Sequence, residues 1–362
     1  MYNAIVRKRL RRFVVAGKTT IKDIAKSLGI SPSTVSRALS NGPGVGGDLR
    51  KRIRKVASQL NYIPNSSAKS LRTRKTKTIG LIVSDIRNPF FLEFMGGVEA
   101  VLFPREFKFI VCNTGEDSKK EEIYIRWLME HGVEGILSSP YQDREGSNNG
   151  AFYKKAMKSG IHVVFYDRLL EGVGGIDSVT LDNEQAIMNG VFYLRERGHE
   201  RIALCLHKRG IYTIEERYSG FKKACAILGI HPDDRWVLED MTDYSVSLDK
   251  LRSVLTASDR PTAVISTNQY LNETVVRAAR ELGLDIPADL SLVGFDDSSL
   301  NELIDPPVTT IRQPVVDMGK IAATLLLGRI DGDRGEQTRI VLKAELLERN
   351  SVASTAKIVK RL

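Results

Sequence analysis

The apolar residues in the N-terminal part of the chain recur every three or four positions, which predicts three short amphipathic helices. The first begins after Thr20, which can cap it together with Asp23, and it ends at Gly29. The second follows Ser31 and has a proline at its first position, and the third covers residues 48–61. Because only a short turn separates the first two helices, they form a candidate helix-turn-helix, a motif that places its second helix in the major groove of DNA.

From Thr78 onward, short apolar runs alternate with amphipathic stretches. We expect strands at 78–83, 107–111, 135–137, 162–166, 178–181, 201–206, 263–266 and 290–295. We expect helices at 90–103, 117–131, 151–159, 184–197, 215–228, 245–257 and 269–282. This alternation is typical of parallel sheets, and its length exceeds one sheet. The predicted fold class is therefore an N-terminal all-α helix-turn-helix head followed by an α/β body of two lobes with parallel sheets.

Charge is divided unevenly between these two parts. Residues 1–77 contain 19 Lys and Arg against Asp23 and Asp48, whereas the remainder carries 35 basic and 42 acidic residues. A basic head on an ordinary soluble body is typical of a protein that binds a polyanion. The charge therefore favours double-stranded DNA as the partner of the head.

The domain boundaries follow from these changes in pattern. Residues 1–18 are basic and lack a secretory signal, so we expect a disordered arm or sequence upstream of the true start. The helix-turn-helix domain covers 19–62, and 63–77 is a hinge or linker that is too polar to fold alone. The body is expected at 78–350, with one lobe formed by 78–194 and 315–341, the other by 195–314 and 342–350, and a tail at 351–362.

The second helix of the head carries the candidate base-reading residues. Pro32, Ser33, Thr34 and Arg37 would face the base edges, and only Arg37 could make a bidentate contact to guanine. The alternative is that Arg37 binds a phosphate. Residues suited to phosphate contacts at the helix ends are Thr20, Ser31, Ser36 and Asn41. Ile21 is also expected at the DNA interface.

Several longer motifs resemble the lactose-repressor (LacI/GalR) family of bacterial transcription factors. They are IKDIAKSLGISPSTVSRALS, NYIPN, SSAKSLRTRKTKTIGLIVSDIRNPFF, EERYSGF at 215–221, STNQ at 266–269, LVGFDD at 292–297 and VTTIRQP at 308–314. The resemblance covers about residues 19–350. It departs from the family pattern at Gly46 and Gly47, where polar capping residues are usual, and in the N-terminal extension.

The resemblance implies a dimeric repressor of carbohydrate-metabolism genes that binds a near-palindromic operator. It also implies a hinge that becomes helical only on DNA, with Leu71 entering the minor groove and kinking the duplex. The alternative is that Leu71 packs on the body. The hinge residues expected to touch DNA are Asn65, Ala68, Leu71 and Arg72.

For the body, the resemblance implies a periplasmic-binding-protein-like fold with a small-molecule effector in the cleft between the lobes. Polar residues at strand ends suit a sugar, sugar acid or sugar phosphate, and an aromatic ring covers the C–H face of a sugar. The candidate effector-binding residues are Asp85, Asn88, Phe90, Arg168, Asp182, Arg217, Tyr244, Asn268 and Asp296. Tyr244 is a looser match to the family positions, as is Gln313. Each candidate could instead be an ordinary helix cap, and the ligand could be a nucleobase, a nucleoside or a corepressor.

A basic run, His207, Lys208 and Arg209, follows one predicted strand and indicates either an anionic effector or a solvated loop. Enzyme motifs such as G-x-S-x-G, Walker A and H-E-x-x-H are absent from the sequence, and its five histidines have no ligand spacing. We therefore expect no catalytic residues, no cofactor and no metal.

Three cysteines without a C-x-x-C and the lack of a long apolar run favour a reduced, cytoplasmic protein without membrane contact, on the nucleoid when bound to DNA. The C-terminal residues lack a leucine heptad, which predicts a homodimer rather than a tetramer.

Overall fold

A computed structural model describes residues 19–62, 75–170 and 172–358. The chain divides into two compact units after Lys75. The hinge residues Asn65, Ala68, Leu71 and Arg72 and the extension 1–18 lie outside the described residues, so the roles expected for them remain predictions.

The described residues of the head unit form three helices, α1 (Ile21–Leu28), α2 (Pro32–Leu39) and α3 (Gly47–Gln59). Their inward faces meet in a small core formed by Ile24, Ala25, Val35, Ala38, Ile53 and Ala57. These residues recur at three- and four-residue spacing, so burial of one stripe on each helix accounts for the three-helix arrangement.

The caps expected in the head are present. Thr20 and Asp23 form a reciprocal capping box at the start of α1, and Gly29 ends that helix with a φ of 69°. The Ser31 hydroxyl accepts the Thr34 amide at 3.1 Å, with Pro32 in the first turn of α2. Helix α3 begins after Gly46, which has no side chain to cap it.

The body contains two six-stranded sheets. The first has the order β11-β5-β4-β3-β1-β2, and all its neighbouring strands are parallel. Its strands are β1 (Thr78–Val83), β2 (Lys108–Asn113), β3 (Gly135–Ser138), β4 (His162–Tyr166), β5 (Asp177–Leu181) and β11 (Arg339–Leu342). With α4 (Pro89–Leu102), α5 (Ser118–Glu130), α6 (Gly150–Lys158) and α12 (Val315–Ile330) it forms the first lobe.

The second sheet has the order β12-β10-β9-β8-β6-β7 and is parallel except for β12, which runs antiparallel to β10. Its strands are β6 (Ile202–Cys205), β7 (Val237–Leu238), β8 (Ala263–Ser266), β9 (Ser291–Phe295), β10 (Thr309–Arg312) and β12 (Glu345–Leu347). With α7 (Asn183–Glu196), α8 (Tyr212–Leu228), α9 (Tyr244–Leu255) and α10 (Gln269–Glu281) it forms the second lobe. Two short helices follow in chain order, α11 (Ser299–Leu303) before β10 and α13 (Thr355–Ile358) after β12.

The chain passes between the lobes at three places, before α7, between β10 and α12, and between β11 and β12. Helix α7 packs against α8, β8, β10 and β12, so the first crossing precedes it and does not lie near residue 194 as expected.

Helix α12 was absent from the expected elements, as were β7, β10, β11, β12 and the short helices. Its buried residues pack against α4 and against β3, β4 and β5, while Asp317, Lys320 and Thr324 lie exposed. A Cβ added to Gly97 of α4 would lie 2.1 Å from the Val316 carbonyl oxygen, so the close contact between α4 and α12 requires glycine there.

Among the described helices, none has the length and apolar character needed to span a membrane.

Candidate ligand cavity and nucleic-acid interface

A cavity of about 560 Å³ lies between the two lobes of the body. Residues that directly follow strands line it from both sides: Ser84 and Asp85 after β1, Asp167 and Arg168 after β4, and Asp296 after β9. Parallel strands present their carboxyl ends at one edge of a sheet, which is why polar loop residues from distant parts of the sequence meet here.

The structure brings most of the expected effector-binding residues to this cavity. The first lobe supplies Asp85, Asn88, Phe90 and Arg168, and the second supplies Arg217, Asn268 and Asp296. Gln313, a looser match, also lines it. Their roles in binding remain a proposal.

The expected site is wrong at two positions, because Asp182 and Tyr244 do not line the cavity. The Asp182 carboxylate accepts the Gln185 amide at 3.0 Å and so caps its own helix, α7. The Tyr244 hydroxyl donates to Glu281 at 2.7 Å, and Arg277 covers its ring. Both side chains are held by local contacts, which turn them away from the cavity.

Arg168 is a buried cation at the floor of the cavity. Its Nη2 donates to Glu116 at 2.8 Å, and its Nε lies 3.4 Å from Asp167. Among the described residues, its Nε and Nη1 are buried and have no hydrogen-bond partner. Two carboxylates therefore balance the charge, while the N–H groups of Nε and Nη1 remain for a ligand.

Arg217 is the matching cation of the second lobe. Its Nε donates to Asn183 at 2.8 Å, and its Nη1 donates to the Thr267 carbonyl oxygen. The guanidinium lies 3.6 Å from the centroid of the Phe295 ring. This stacking and these hydrogen bonds fix the orientation of the side chain.

Two buried carboxylates complete the charged set. Asp167 and Asp296 have φ angles of 62° and 67°, in the left-handed region where bulky residues are strained. Burial raises the pKa of both, although Arg217 opposes the shift. Asp167 accepts from Ser139 at 3.1 Å and Asp296 from Gln313 Nε2 at 2.6 Å.

Five buried polar atoms of residues that line the cavity have no hydrogen-bond partner within the described part of the chain. They are Ser84 Oγ, Arg168 Nε, Arg168 Nη1, Tyr270 OH and Gln313 Oε1. A buried polar group left unpaired costs about 1–3 kcal/mol, so a ligand with several donors and acceptors would be stabilised here. The sequence analysis did not identify Ser84 and Tyr270 as site residues. Their positions in the sequence, directly after β1 and near the end of β8, could have indicated them.

The basic run does not supply a free cation to the cavity. Arg209 pairs with Glu215 and Glu239 and lies outside the lining. Lys208 donates to the Tyr141 hydroxyl at 2.6 Å. Burial lowers the pKa of His207, which favours its neutral form at pH 7.

In the head unit, α2 exposes Pro32, Ser33 and Arg37 and buries Val35 and Ala38. Arg37 is exposed, and its side chain makes no hydrogen bond to any other described residue, so those residues leave its five N–H groups unused. The face opposite the core can therefore present a cation to a groove.

Other expected DNA contacts already have local partners. Thr20 exchanges hydrogen bonds with Asp23, and Ser31 shares its hydroxyl with Ser33 and Thr34 at 2.8 Å. Asn41 accepts from Arg54, Ile21 is partly buried against the head core, and Ser36 is half-buried. Exposed cations of α3, Lys51, Arg52, Arg54 and Lys55, add positive charge to the same unit.

Within the described ranges, no cluster of His, Cys, Asp or Glu has the arrangement of a metal site.

The comparisons with known proteins agree with this geometry. Residues 20–65 match the model described as bacterial regulatory proteins, lacI family, and residues 191–352 match the periplasmic binding protein-like domain. The chain is 32% identical over 348 residues, 95% of this chain and 99% of the relative, to the probable HTH-type transcriptional regulator EndR of Paenibacillus polymyxa.

Two solved structures are also similar. A LacI family transcriptional regulator from Enterococcus faecium with bound ribose is 30% identical, covers 76% of this chain and 99% of its own, and has a TM-score of 0.68. The lac repressor dimer bound to operator and the anti-inducer ONPF is 22% identical, covers 93% of this chain and 100% of its own, has a TM-score of 0.81, and shows the shared fold. The chain belongs to the LacI family and is a DNA-binding transcriptional regulator.

Proposed function

We propose that this regulator is a repressor that binds a near-palindromic operator as a dimer and responds to a neutral sugar or polyol in the cavity between its lobes. The observation that carries the effector class is the set of five unpartnered, buried polar atoms in a cavity whose positive and negative charges nearly balance. Hydroxyl groups both donate and accept, so a polyhydroxylated ligand can serve the Ser84, Arg168, Tyr270 and Gln313 atoms together.

The charges argue for a neutral ligand over a sugar acid or sugar phosphate. Arg87, Arg168, Lys208 and Arg217 face the carboxylates Asp85, Glu116, Asp167, Glu273 and Asp296 in the same lining. Arg87 is bound to Asp85 at 2.8 Å and Arg168 to Glu116 at 2.8 Å. A ligand phosphate would have to displace these carboxylates, with a high desolvation cost for the displaced groups.

The position of the cavity supports control by lobe closure. Asp167 and Arg168 belong to the first lobe and Arg217 and Asp296 to the second, so a ligand that touches both sets stabilises one relative orientation of the lobes. A shift in that orientation within a dimer would change the spacing of the two hinges, and with it the fraction of protein able to bind operator. In this proposal, Leu71 of each hinge enters the minor groove and Arg37 of each α2 reads a base.

The test is calorimetric titration of the full chain with ribose, glucose, cellobiose, gluconate, glucose 6-phosphate and adenine. We expect binding of a neutral sugar and none of the matched acid or phosphate. Arg217→Met should abolish that binding, whereas Tyr244→Phe, outside the cavity, should leave it unchanged. Binding of only adenine or only the phosphate would overturn the effector class.

The DNA side is tested by selecting operators from a random library and measuring their affinity with and without the sugar that binds. We expect a two-fold symmetric site, protein bound as a dimer, and an affinity that changes when the sugar is added. Leu71→Ala should weaken operator binding without changing sugar affinity. An asymmetric site bound by one chain would contradict the dimer.

A further inference from the structure

A second cavity of about 320 Å³ lies beside the first in the body. The two share part of their lining: Asn88, Pro89, Phe90, Gln269, Asp296 and Gln313. The second cavity continues toward the start of α12 and is also lined by Glu93, Asp297, Ser298, Ser299, Glu302, Arg312 and Val315. A ligand group that extends past the shared residues would enter it.

Its charge differs from that of the first cavity. Glu93, Asp296, Asp297 and Glu302 face a single lining cation, Arg312. Arg312 is itself bound to Glu345 at 2.6 Å, so little of its charge is left for the cavity. Carboxylate charge therefore exceeds cationic charge here, whereas the two are nearly equal in the first cavity.

Glu93 is the carboxylate of this lining that has no direct hydrogen bond or ion pair with a described residue. Asp297 accepts two hydrogen bonds from Arg349, at 2.8 and 3.0 Å, and Glu302 accepts a third at 3.2 Å. Glu93, an exposed residue of α4, makes neither contact with any other residue that the structure describes. Partial desolvation and the neighbouring charges of Asp296 and Asp297 raise its pKa, while the charge of Arg312 opposes the shift.

Two residues of the same lining carry oxygen atoms without hydrogen-bond partners among the described residues. Gln313 is only 5% exposed, and its Nε2 is used by Asp296, which leaves Oε1 buried and without a donor in the described part of the chain. Ser298 Oγ is likewise buried and unpartnered among those residues. An N–H donor that carries positive charge would meet a carboxylate and an amide oxygen at once.

Of the groups that could bind in the second cavity, an ammonium group fits its charge and acceptor atoms best. A metal ion is disfavoured because no cluster of His, Cys, Asp or Glu among the described residues has the arrangement to hold one. The N-terminus of α4, near Asn88 and Phe90, contributes about half a positive charge, which is less than the carboxylate excess. Hydroxyl groups alone would leave the charge of Glu93 unbalanced.

We propose that the second cavity binds a primary ammonium group through Glu93 and Gln313, and that this group is the amine of an amino sugar or amino polyol whose hydroxylated part fills the first cavity. The identity of the ligand as an amino sugar or amino polyol rests on the proposed function. The ammonium site itself rests on the second cavity alone, so the two proposals can fail separately.

The experiment titrates the full-length protein with ethanolamine and, as its neutral counterpart, ethylene glycol, and follows the side-chain amide signal of Gln313 by NMR. We expect a saturable shift with ethanolamine and none with ethylene glycol. Glu93→Gln should weaken ethanolamine binding by about tenfold or more, since it removes a charge-assisted hydrogen bond. Glu99→Gln, an exposed carboxylate on the same helix, is the matched control and should leave it unchanged.

A second titration compares sorbitol with 1-amino-1-deoxysorbitol. Tighter binding of the amine in the wild type, and equal binding of the two in Glu93→Gln, would support a single ligand that spans both cavities. Ethanolamine that fails to saturate, or that binds Glu93→Gln as well as wild type, would overturn the ammonium site. If neither polyol binds while ethanolamine does, the ammonium site stands and the polyol effector is rejected.

Discussion

The head and the cavity of the body use arginine in opposite ways. Arg37 lies exposed on α2 without a side-chain hydrogen bond to another described residue, and the exposed cations of α3 lie in the same unit. In the body, Arg168 and Arg217 are buried and held by carboxylate, amide, carbonyl and aromatic partners. Exposed cations suit a polyanion that brings the counter-charge, whereas buried, hydrogen-bonded cations suit a neutral ligand that needs oriented donors.

The strongest test of this comparison removes a buried cation. Arg217→Met should lower the free energy of unfolding of the body by about 3–5 kcal/mol, because Asp296 and Asn183 lose their partner in a buried site. Urea unfolding followed by circular dichroism measures it. Arg277→Met, on the exposed face of α10, is the control and should change stability by less than about 1 kcal/mol. An equal loss in both variants would mean that burial of Arg217 has no special role.

A second test concerns a buried carboxylate near the cavity. Burial raises the pKa of Glu121 to about 7, although hydrogen bonds from Tyr153 and from the Tyr141 amide oppose the shift. Between pH 4.5 and pH 7, Glu121 is therefore protonated in the folded state and ionised in the unfolded state. The free energy of unfolding should fall as pH rises from about 4.5 to about 7 and then level off.

The size of that fall is on the order of 3 kcal/mol, at about 1.4 kcal/mol per pKa unit. Glu121→Gln should remove it, which unfolding curves at pH 5, 6, 7 and 8 would show as a flatter profile. Glu122→Gln, the next residue along α5 and partly exposed in an ion pair with Arg126, should retain the wild-type profile. If the stability of Glu121→Gln depended on pH as that of wild type does, groups other than Glu121 would cause the pH dependence.

On the head, Arg37→Ala should reduce operator affinity by about 1–3 kcal/mol and relax the preference at one base pair in each half-site. Competition binding against operators mutated at single positions measures this. Lys51→Ala, on the outer face of α3, serves as the comparison for a phosphate contact. If Arg37→Ala weakens every sequence equally and lowers the salt dependence, Arg37 binds phosphate rather than a base.

The smallest expected effect lies at the start of α1. Thr20→Ala removes the capping box with Asp23 and should destabilise the head by about 1 kcal/mol. Faster amide hydrogen exchange in residues 21–28, with unchanged exchange in the body, would show it. Thr20→Ser keeps the hydroxyl and should exchange its amide hydrogens as slowly as wild type. If Thr20→Ala also exchanged as slowly as wild type, the capping box would not be needed for the stability of α1.

The sequence predicted those parts of the fold that depend on local signals. Caps at Thr20, Ser31 and Gly29 and regular apolar spacing place the head helices within about two residues of their observed bounds. Helix α12 was missed although its buried residues recur at three- and four-residue spacing, because apolar Val316 and Ile321 flank a polar face of only Asp317, Lys320 and Thr324. Strands β11 and β12 are short and pair with partners far along the chain, so local pattern does not identify them.

The candidate site shows the same division. The rule that parallel strands end at a common edge located Asp85, Arg168 and Asp296 correctly in space. It could not give the direction of a side chain, so it also selected Asp182, which turns into its own helix. Tyr270 was missed because its significance lies in an unpartnered hydroxyl, which only the packed structure reveals.

The return of the chain to the first lobe has a consequence for its synthesis. Strand β5 receives its parallel neighbour β11 only when residues 339–342 have been made, and α4 receives α12 only after residue 330. Until then, a nascent chain that has already completed β1 to β5 exposes an unpaired strand edge and an apolar helix face. Such surfaces are prone to aggregation, so this protein should depend on chaperones during translation more than a protein of equal size whose lobes are each built from one continuous segment.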